Sequence, residues 1–171
     1  NADGSVPSDN PFPGSPVYSL GHRNPQGLAW HPATGELWST EHGQSAADEV
    51  NIIKPGANYG WPRVQGAQSD PAYTSPVSQS GTATWAPSGA AFYGSPTSFF
   101  FTGLRSQTIW QLTLNNDNRS AKGLEARLQN QFGRLRDVTL GPDGFLYLIT
   151  NNRDGRGDPV AADDRIIRVK F

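Results

Sequence analysis

The sequence predicts an all-β chain built from recurring groups of short strands, which read as the blades of a β-propeller. Three observations predict it. Gly (19) and Pro (14) are abundant among 171 residues and charged residues make up only 17%, a loop-rich composition in which both residues interrupt helices. One strand–turn–strand pattern recurs along the chain, with its units about 45 to 65 residues apart. Helical periodicity is weak everywhere, and strongest over "AKGLEARLQNQF", which we do not assign as a helix.

Taken in order, the first unit is "GLAWHPATGELWSTEHG" at 27–43, where "HPATGE" supplies the turn of a hairpin. "DEVNIIK" then reads as a further strand. The second unit, "GAAFYGSPTSFFFTGLRS" at 89–106, turns through "GSPT" into an aromatic strand, and "TIWQLTL" follows it. The third, "RDVTLGPDGFLYLITNN" at 136–152, carries the strongest hairpin signal, "GPDG", and "DRIIRVKF" closes the chain. These groups place blades near 17–65, 80–115 and 130–171 of a single partial domain, 1–171. Three blades do not close a ring, since propellers typically have about four to eight. From the pattern alone, a single β-sandwich remains the alternative.

Net charge is −1, so nothing global recommends a nucleic acid or an acidic membrane as partner. Cys is absent, which excludes disulfides and thiolate metal sites. The chain shows no signal-peptide pattern and no apolar run of membrane-spanning length.

Each unit ends in, or is preceded by, a polar corner. "GHRNPQ" sets Arg23 and Asn24 before the first unit, "GLRSQ" puts Arg105 after the second hairpin, and "RLRD" puts Arg134 and Arg136 before the third. In regular extended chain Arg134 and Arg136 share a face, and two adjacent guanidiniums call for an anion between them or a solvated edge. In a propeller the ends of inner strands converge on one mouth of the channel. Four arginines meeting there describe a site for a compound with several carboxylates or phosphates.

"TEHGQSAADEVNIIKPGANYGWP" at 40–62 places the carboxylates of Asp48 and Glu49 near irregular turns with free carbonyls. That donor set suits Ca²⁺, although the spacing is not an EF-hand and a capped turn explains it equally well. His22, His31 and His42 have no partner ligands at metal spacing and read as structural. "RGD" at Arg156–Asp158 is a chance match, and "NRS" at Asn118 fits a glycosylation pattern that matters only in a secretory pathway.

"DGSVPSDNPF", "GHRNPQGLAWHPATGELWSTEHG", "DEVNIIKPGANYGWP", "APSGAAFY" and "RLRDVTLGPDGFLYLITN" together resemble the soluble quinoprotein sugar dehydrogenases. These are the aldose and glucose dehydrogenases that use pyrroloquinoline quinone (PQQ), and the sorbosone dehydrogenase group is similar. The resemblance runs along nearly the whole chain but covers only the C-terminal half of such proteins. It implies a six-bladed propeller holding PQQ, a tricarboxylate, and calcium at the channel mouth. It further implies oxidation of an aldose sugar at C1, an electron acceptor, and a periplasmic or extracellular location.

Carried over by residue, the resemblance implies that Arg23 and Asn24 contact the quinone edge, with Arg23 polarising it. Arg105, Arg134, Arg136 and Thr84 match cofactor contacts. Gly43 and Gln44 match carbonyl ligands of the cofactor's calcium, and Glu49 and Tyr59 match ligands of a second, structural calcium. The family usually reads "HGP" where this chain reads "HGQ", so the carbonyl of residue 44 is kept but its direction is not fixed by a ring. The family's general-base histidine has no counterpart among the three histidines and is expected outside the chain. Two other readings stand beside this one. They are a non-catalytic propeller module that binds a protein partner, as in Hedgehog-interacting protein, and a calcium-stabilised scaffold. A half-ring leaves two apolar blade faces open, so two copies pairing to close a six-bladed ring is a further expectation.

Overall fold

The computed structural model describes residues 1–95 and 97–171. Pro96, in the expected turn of the second unit, lies outside the described residues. Eleven strands form three antiparallel sheets, and no helix occurs among the described residues. The first sheet has the order β1 (Pro25–Trp30), β2 (Leu37–Glu41), β3 (Glu49–Ile53), β4 (Ser78–Gln79). The second runs β5 (Pro87–Tyr93), β6 (Ser98–Gly103), β7 (Thr108–Leu114), β8 (Ala121–Arg127). The third has β9 (Leu135–Leu140), β10 (Leu146–Thr150) and β11 (Ile166–Val169). This is the all-β, blade-by-blade architecture of a propeller, in three consecutive sheets.

The sheets reach further than the sequence indicated. β4 lies past residue 65 and β8 past residue 115, because each outer strand is specified by its partner rather than by its own residues. β4 is two polar residues held by Glu49↔Gln79 and Val50↔Ser78. β8, the one stretch with helical periodicity, pairs with β7 from Ile109↔Arg127 to Leu114↔Ala121. Tertiary pairing overrides local preference there.

The inner strands β1, β5 and β9 pack side by side. Glycines permit the close approach. A Cβ on Gly27 would lie 2.3 Å from the Ser88 carbonyl oxygen, and one on Gly89 1.5 Å from Oδ1 of Asp137. Thr40 bolts the first junction, its Oγ1 accepting from the Gly27 N–H (3.0 Å) and donating to the Ser88 carbonyl (2.6 Å).

The middle sheet is buried on both faces, which explains the run "SFFFTG" in β6. Successive side chains on a strand point to opposite faces. Phe99 and Phe101 enter a cluster with Trp38, Val50 and Trp85 between the first and second sheets. Phe100 enters the other, with Leu135, Val138, Leu146 and Leu148, between the second and third. The two outward faces stay open: Leu28 and Trp30 are exposed on the first sheet, Ile149 and Ile166 on the third.

Candidate functional site

Each blade contributes to one cleft from the same two places, the lead-in to its inner strand and the loop after its second strand. The first blade supplies Arg23 and Asn24 ahead of β1 and Gly43 to Ser45 after β2. The second supplies Thr84 and Ala86 ahead of β5 and Leu104 and Arg105 after β6. The third supplies Arg134 ahead of β9 and Arg156 after β10. Together with His42 and Asp48 they enclose about 660 Å³.

Buried carboxylates build the walls. Glu41, at the end of β2, accepts from the backbone N–H of Arg23 and from that of Asn24 (3.1 Å) through Oε1. Its Oε2 pairs with Nδ1 of His22 at 3.0 Å, while His22 Nε2 bonds Ser19 Oγ (2.8 Å) and the ring stacks on Tyr59. The Arg-Asn corner is therefore aimed by its main chain, leaving both side chains for the cleft. The Arg23 guanidinium lies over the Trp61 ring and donates to the His42 carbonyl at 3.3 Å. Asp48, 1% exposed, accepts from Gly43 N–H (2.9 Å) through Oδ1 and from Trp85 and Ala86 N–H (2.6 and 2.8 Å) through Oδ2. It locks the Gly43–Gln44 loop of one blade to the β5 lead-in of the next. Thr84 Oγ1 closes the same seam by donating to the Ser45 carbonyl at 2.7 Å.

Arg134 is buried across the second seam. Its Nη2 pairs with Asp154 (3.0 Å) and its Nη1 reaches the Leu104 carbonyl (3.5 Å), while Nε is buried with no partner. Among the described residues, the guanidiniums of Arg105 and Arg156 take part in no ion pair. A cleft lined by four arginines, one with a buried donor left unused, fits a polyanion.

Seven of the ten expected site residues line this cleft: Arg23, Asn24, Gly43, Gln44, Thr84, Arg105 and Arg134. Arg136 does not. The register shifts between Thr150↔Leu135 and Ile149↔Asp137, so Arg136 is the extra residue of a bulge and the two arginines do not follow the simple alternation expected of a regular strand. Glu49 and Tyr59 lie behind the Arg23 corner, around a small cavity of about 10 Å³ shared with Glu41 and Trp61. Glu49 there accepts from Gly66 N–H (2.6 Å) and Asn51 Nδ2 (3.1 Å), and burial pushes its carboxyl above the ordinary range. The Tyr59 hydroxyl is committed to the Ile52 carbonyl (2.5 Å) and the Lys54 N–H (2.9 Å).

Among the described residues no cluster of three His, Cys, Asp or Glu side chains would hold a metal. The carbonyls of Gly43 and Gln44 accept no hydrogen bond from the described residues. Two free, hard oxygens on a loop clamped by Asp48 supply part of a Ca²⁺ shell, the rest of which a bound anion and water would fill. Sequence reasoning missed Glu41, the acceptor role of Asp48, and Arg156. The repeated address of the loop after each second strand was the signal that marked Arg156.

A family model described as glucose/sorbosone dehydrogenase matches residues 1–167. The chain belongs to the glucose/sorbosone dehydrogenase family. It is 34% identical to the aldose sugar dehydrogenase YliI of Escherichia coli over 89% of the chain and 47% of that protein. A shorter stretch, 43% of the chain and 16% of the relative, is 54% identical to quinoprotein glucose dehydrogenase B of Acinetobacter calcoaceticus. The PQQ-bound form of aldose sugar dehydrogenase from Streptomyces coelicolor superposes with a TM-score of 0.88 at 45% identity. That match covers 97% of this chain and 48% of the other. This family member thus spans about half the length of these relatives, apart from the short Acinetobacter match. Among the described residues no helix is long and apolar enough to cross a membrane.

Proposed function

We propose that the chain is the cofactor-binding part of a PQQ- and calcium-dependent sugar dehydrogenase that oxidises an aldose at C1. The observation that carries this reading is the four-arginine cleft with the unpartnered, buried Nε of Arg134. Its likeness to a relative solved with PQQ bound supports it. Arg105 and Arg134 would grip carboxylates of the cofactor, and Arg136, which is not part of the cleft lining, would have to turn toward it to do the same. Arg23 and Asn24, held by Glu41, would face the quinone oxygens, where a fixed cation stabilises growing negative charge. The Thr84 hydroxyl would add a polar contact, and the Gly43 and Gln44 carbonyls would hold the calcium ion. A second calcium would lie by Glu49 and the Tyr59 carbonyl.

When bound, PQQ would supply a two-electron acceptor for the hydride from C1, with the anomeric hydroxyl giving up its proton as the sugar becomes its lactone. We place the base for that proton outside His22, His31 and His42, each of which is fixed by hydrogen bonds within the fold. His22 is spent on Glu41 and Ser19, His31 Nδ1 on the Ala33 and Thr34 amides, and His42 Nε2 on the Pro87 carbonyl (2.7 Å). The reading includes an electron acceptor as partner and a periplasmic or extracellular location. The test is a titration with PQQ, with and without Ca²⁺, following the quinone absorbance. Saturable, calcium-dependent spectral change is expected. No change in the intact protein would overturn the reading in favour of a partner-binding module or a calcium scaffold.

A further inference from the structure

The segment after β10, "NNRDGRGD", carries a chance adhesion motif, yet it brings Arg156 into the cleft. We infer that Arg156 is a further anion-binding residue, closing on a carboxylate of the same tricarboxylate that Arg134 holds. This rests on the proposed function.

The loop is folded onto Arg134. Asn152 starts it, its Oδ1 accepting from the Arg134 N–H at 2.7 Å. Asp154 then divides its carboxylate between the two arginines. Oδ1 accepts from the backbone N–H of Arg156 (2.9 Å), and Oδ2 accepts from Nη2 of Arg134 (3.0 Å) and Nδ2 of Asn151 (2.9 Å). Gly155 turns the chain at φ +82°, a conformation most side chains avoid. Gly157 presses against the arginine stem, where a Cβ would lie 2.9 Å from Cδ of Arg134 and 2.7 Å from the Asn152 carbonyl oxygen.

This arrangement uses Asp154 to fix the position of Arg156 without neutralising it. Both carboxylate oxygens are spent on other donors, and the Arg156 guanidinium lines the cleft with no ion-pair partner among the described residues. Arg134 and Arg156 line the same cleft while the one carboxylate between them is already shared, so an anion entering there would meet two guanidiniums. Arg105 faces the same volume from the neighbouring blade. The three would form an arc that reads several carboxylates on one flat molecule, which single, bidentate arginine contacts do well.

The test measures PQQ affinity by absorbance in the intact protein with Ca²⁺, across a salt series. Arg134→Ala reports on the proposed function, and Arg156→Ala and Arg156→Lys report on this inference. Arg63→Ala, an exposed arginine outside the cleft, controls for general loss of charge. Arg156→Ala should weaken binding about tenfold and flatten its salt dependence, with Arg156→Lys recovering part of the loss. If Arg134→Ala weakens binding while Arg156→Ala matches the parent at every salt concentration, the inference is wrong and the proposed function stands. If the parent does not bind PQQ, or neither alanine variant weakens it, both fall.

Discussion

Removing the Asp48 carboxylate should destabilise the chain more than any other single change at the cleft. Three backbone N–H groups, of Gly43, Trp85 and Ala86, converge on it at 2.6 to 2.9 Å, and it is 1% exposed. A buried hydrogen bond to a charged group is worth roughly 1.5–3 kcal/mol, and an orphaned donor costs about 1–3 kcal/mol. Water from the adjoining cleft can reach part of the site, so Asp48→Ala should lose about 3–5 kcal/mol rather than the full sum. Asp48→Asn keeps one acceptor oxygen and turns an NH₂ toward the remaining donors, so it should lose about 2–4 kcal/mol. Urea unfolding followed by tryptophan fluorescence measures both, because Trp85 is buried beside the carboxylate and donates to it. With a slope of about 2 kcal/mol/M the alanine midpoint should fall by roughly 1.5–2.5 M. An alanine variant within about 0.5 kcal/mol of the parent would refute the clamp, showing that the seam between the first two sheets holds without it.

Three further outcomes are expected. Arg134→Ala should weaken PQQ binding about ten- to a hundredfold, as read by quinone absorbance, and Arg136→Ala less, since Arg136 does not line the cleft; parent-like affinity in both would remove the arginine cradle. His31 is held below its ordinary titration range, chiefly by burial and against the pull of Glu36, and its Nδ1 accepts from the Ala33 and Thr34 amides only when unprotonated. A histidine depressed in the fold favours folding fully above its unfolded value of about 6.5 and loses that advantage as pH falls through the folded value. Melting temperature should therefore drop from pH 7.5 to 5, and His31→Asn should flatten the slope; an unchanged slope would exclude His31 as its source. Finally, Trp30 is 64% exposed and Ile166 76% on opposite outer faces, so copies of the chain should associate, three sheets with three. Light scattering over a dilution series reads this. A constant single-chain mass at micromolar concentration, unaltered by Trp30→Glu, would rule pairing out.

The hairpins were legible because turn chemistry is local: "GPDG" and "HPATGE" fix φ and hydrogen bonding within four to six residues. The strands buried on both faces were legible as apolar runs such as "SFFFTG". The outer strands were not, since Ser78–Gln79 and Ala121–Arg127 become strands only because β3 and β7 present them with edges. The cleft divides in the same way. Arg23, Arg105 and Arg134 stood out because cations at equivalent corners of a repeat are countable in sequence. Glu41 and Asp48 act by receiving main-chain N–H groups from 18 and 37 residues away, and no spacing encodes that. The alternation argument for Arg136 failed at a bulge, a one-residue defect that sequence does not announce.

The shared address of the site on all three blades has a mechanical consequence. Between neighbouring sheets the body of the protein is joined by apolar clusters and by a few hydrogen bonds, among them those of Thr40 and Asp48. A molecule filling the cleft touches three sheets at once and so straddles two seams. It acts as a keystone: its binding energy becomes resistance to shear between blades. At a hundredfold excess over its dissociation constant such a ligand adds about 2.7 kcal/mol to global stability. The first motions to quieten should be those of the strand lead-ins, at 23–25, 84–87 and 133–135, where hydrogen exchange would slow before it slows in the sheets themselves.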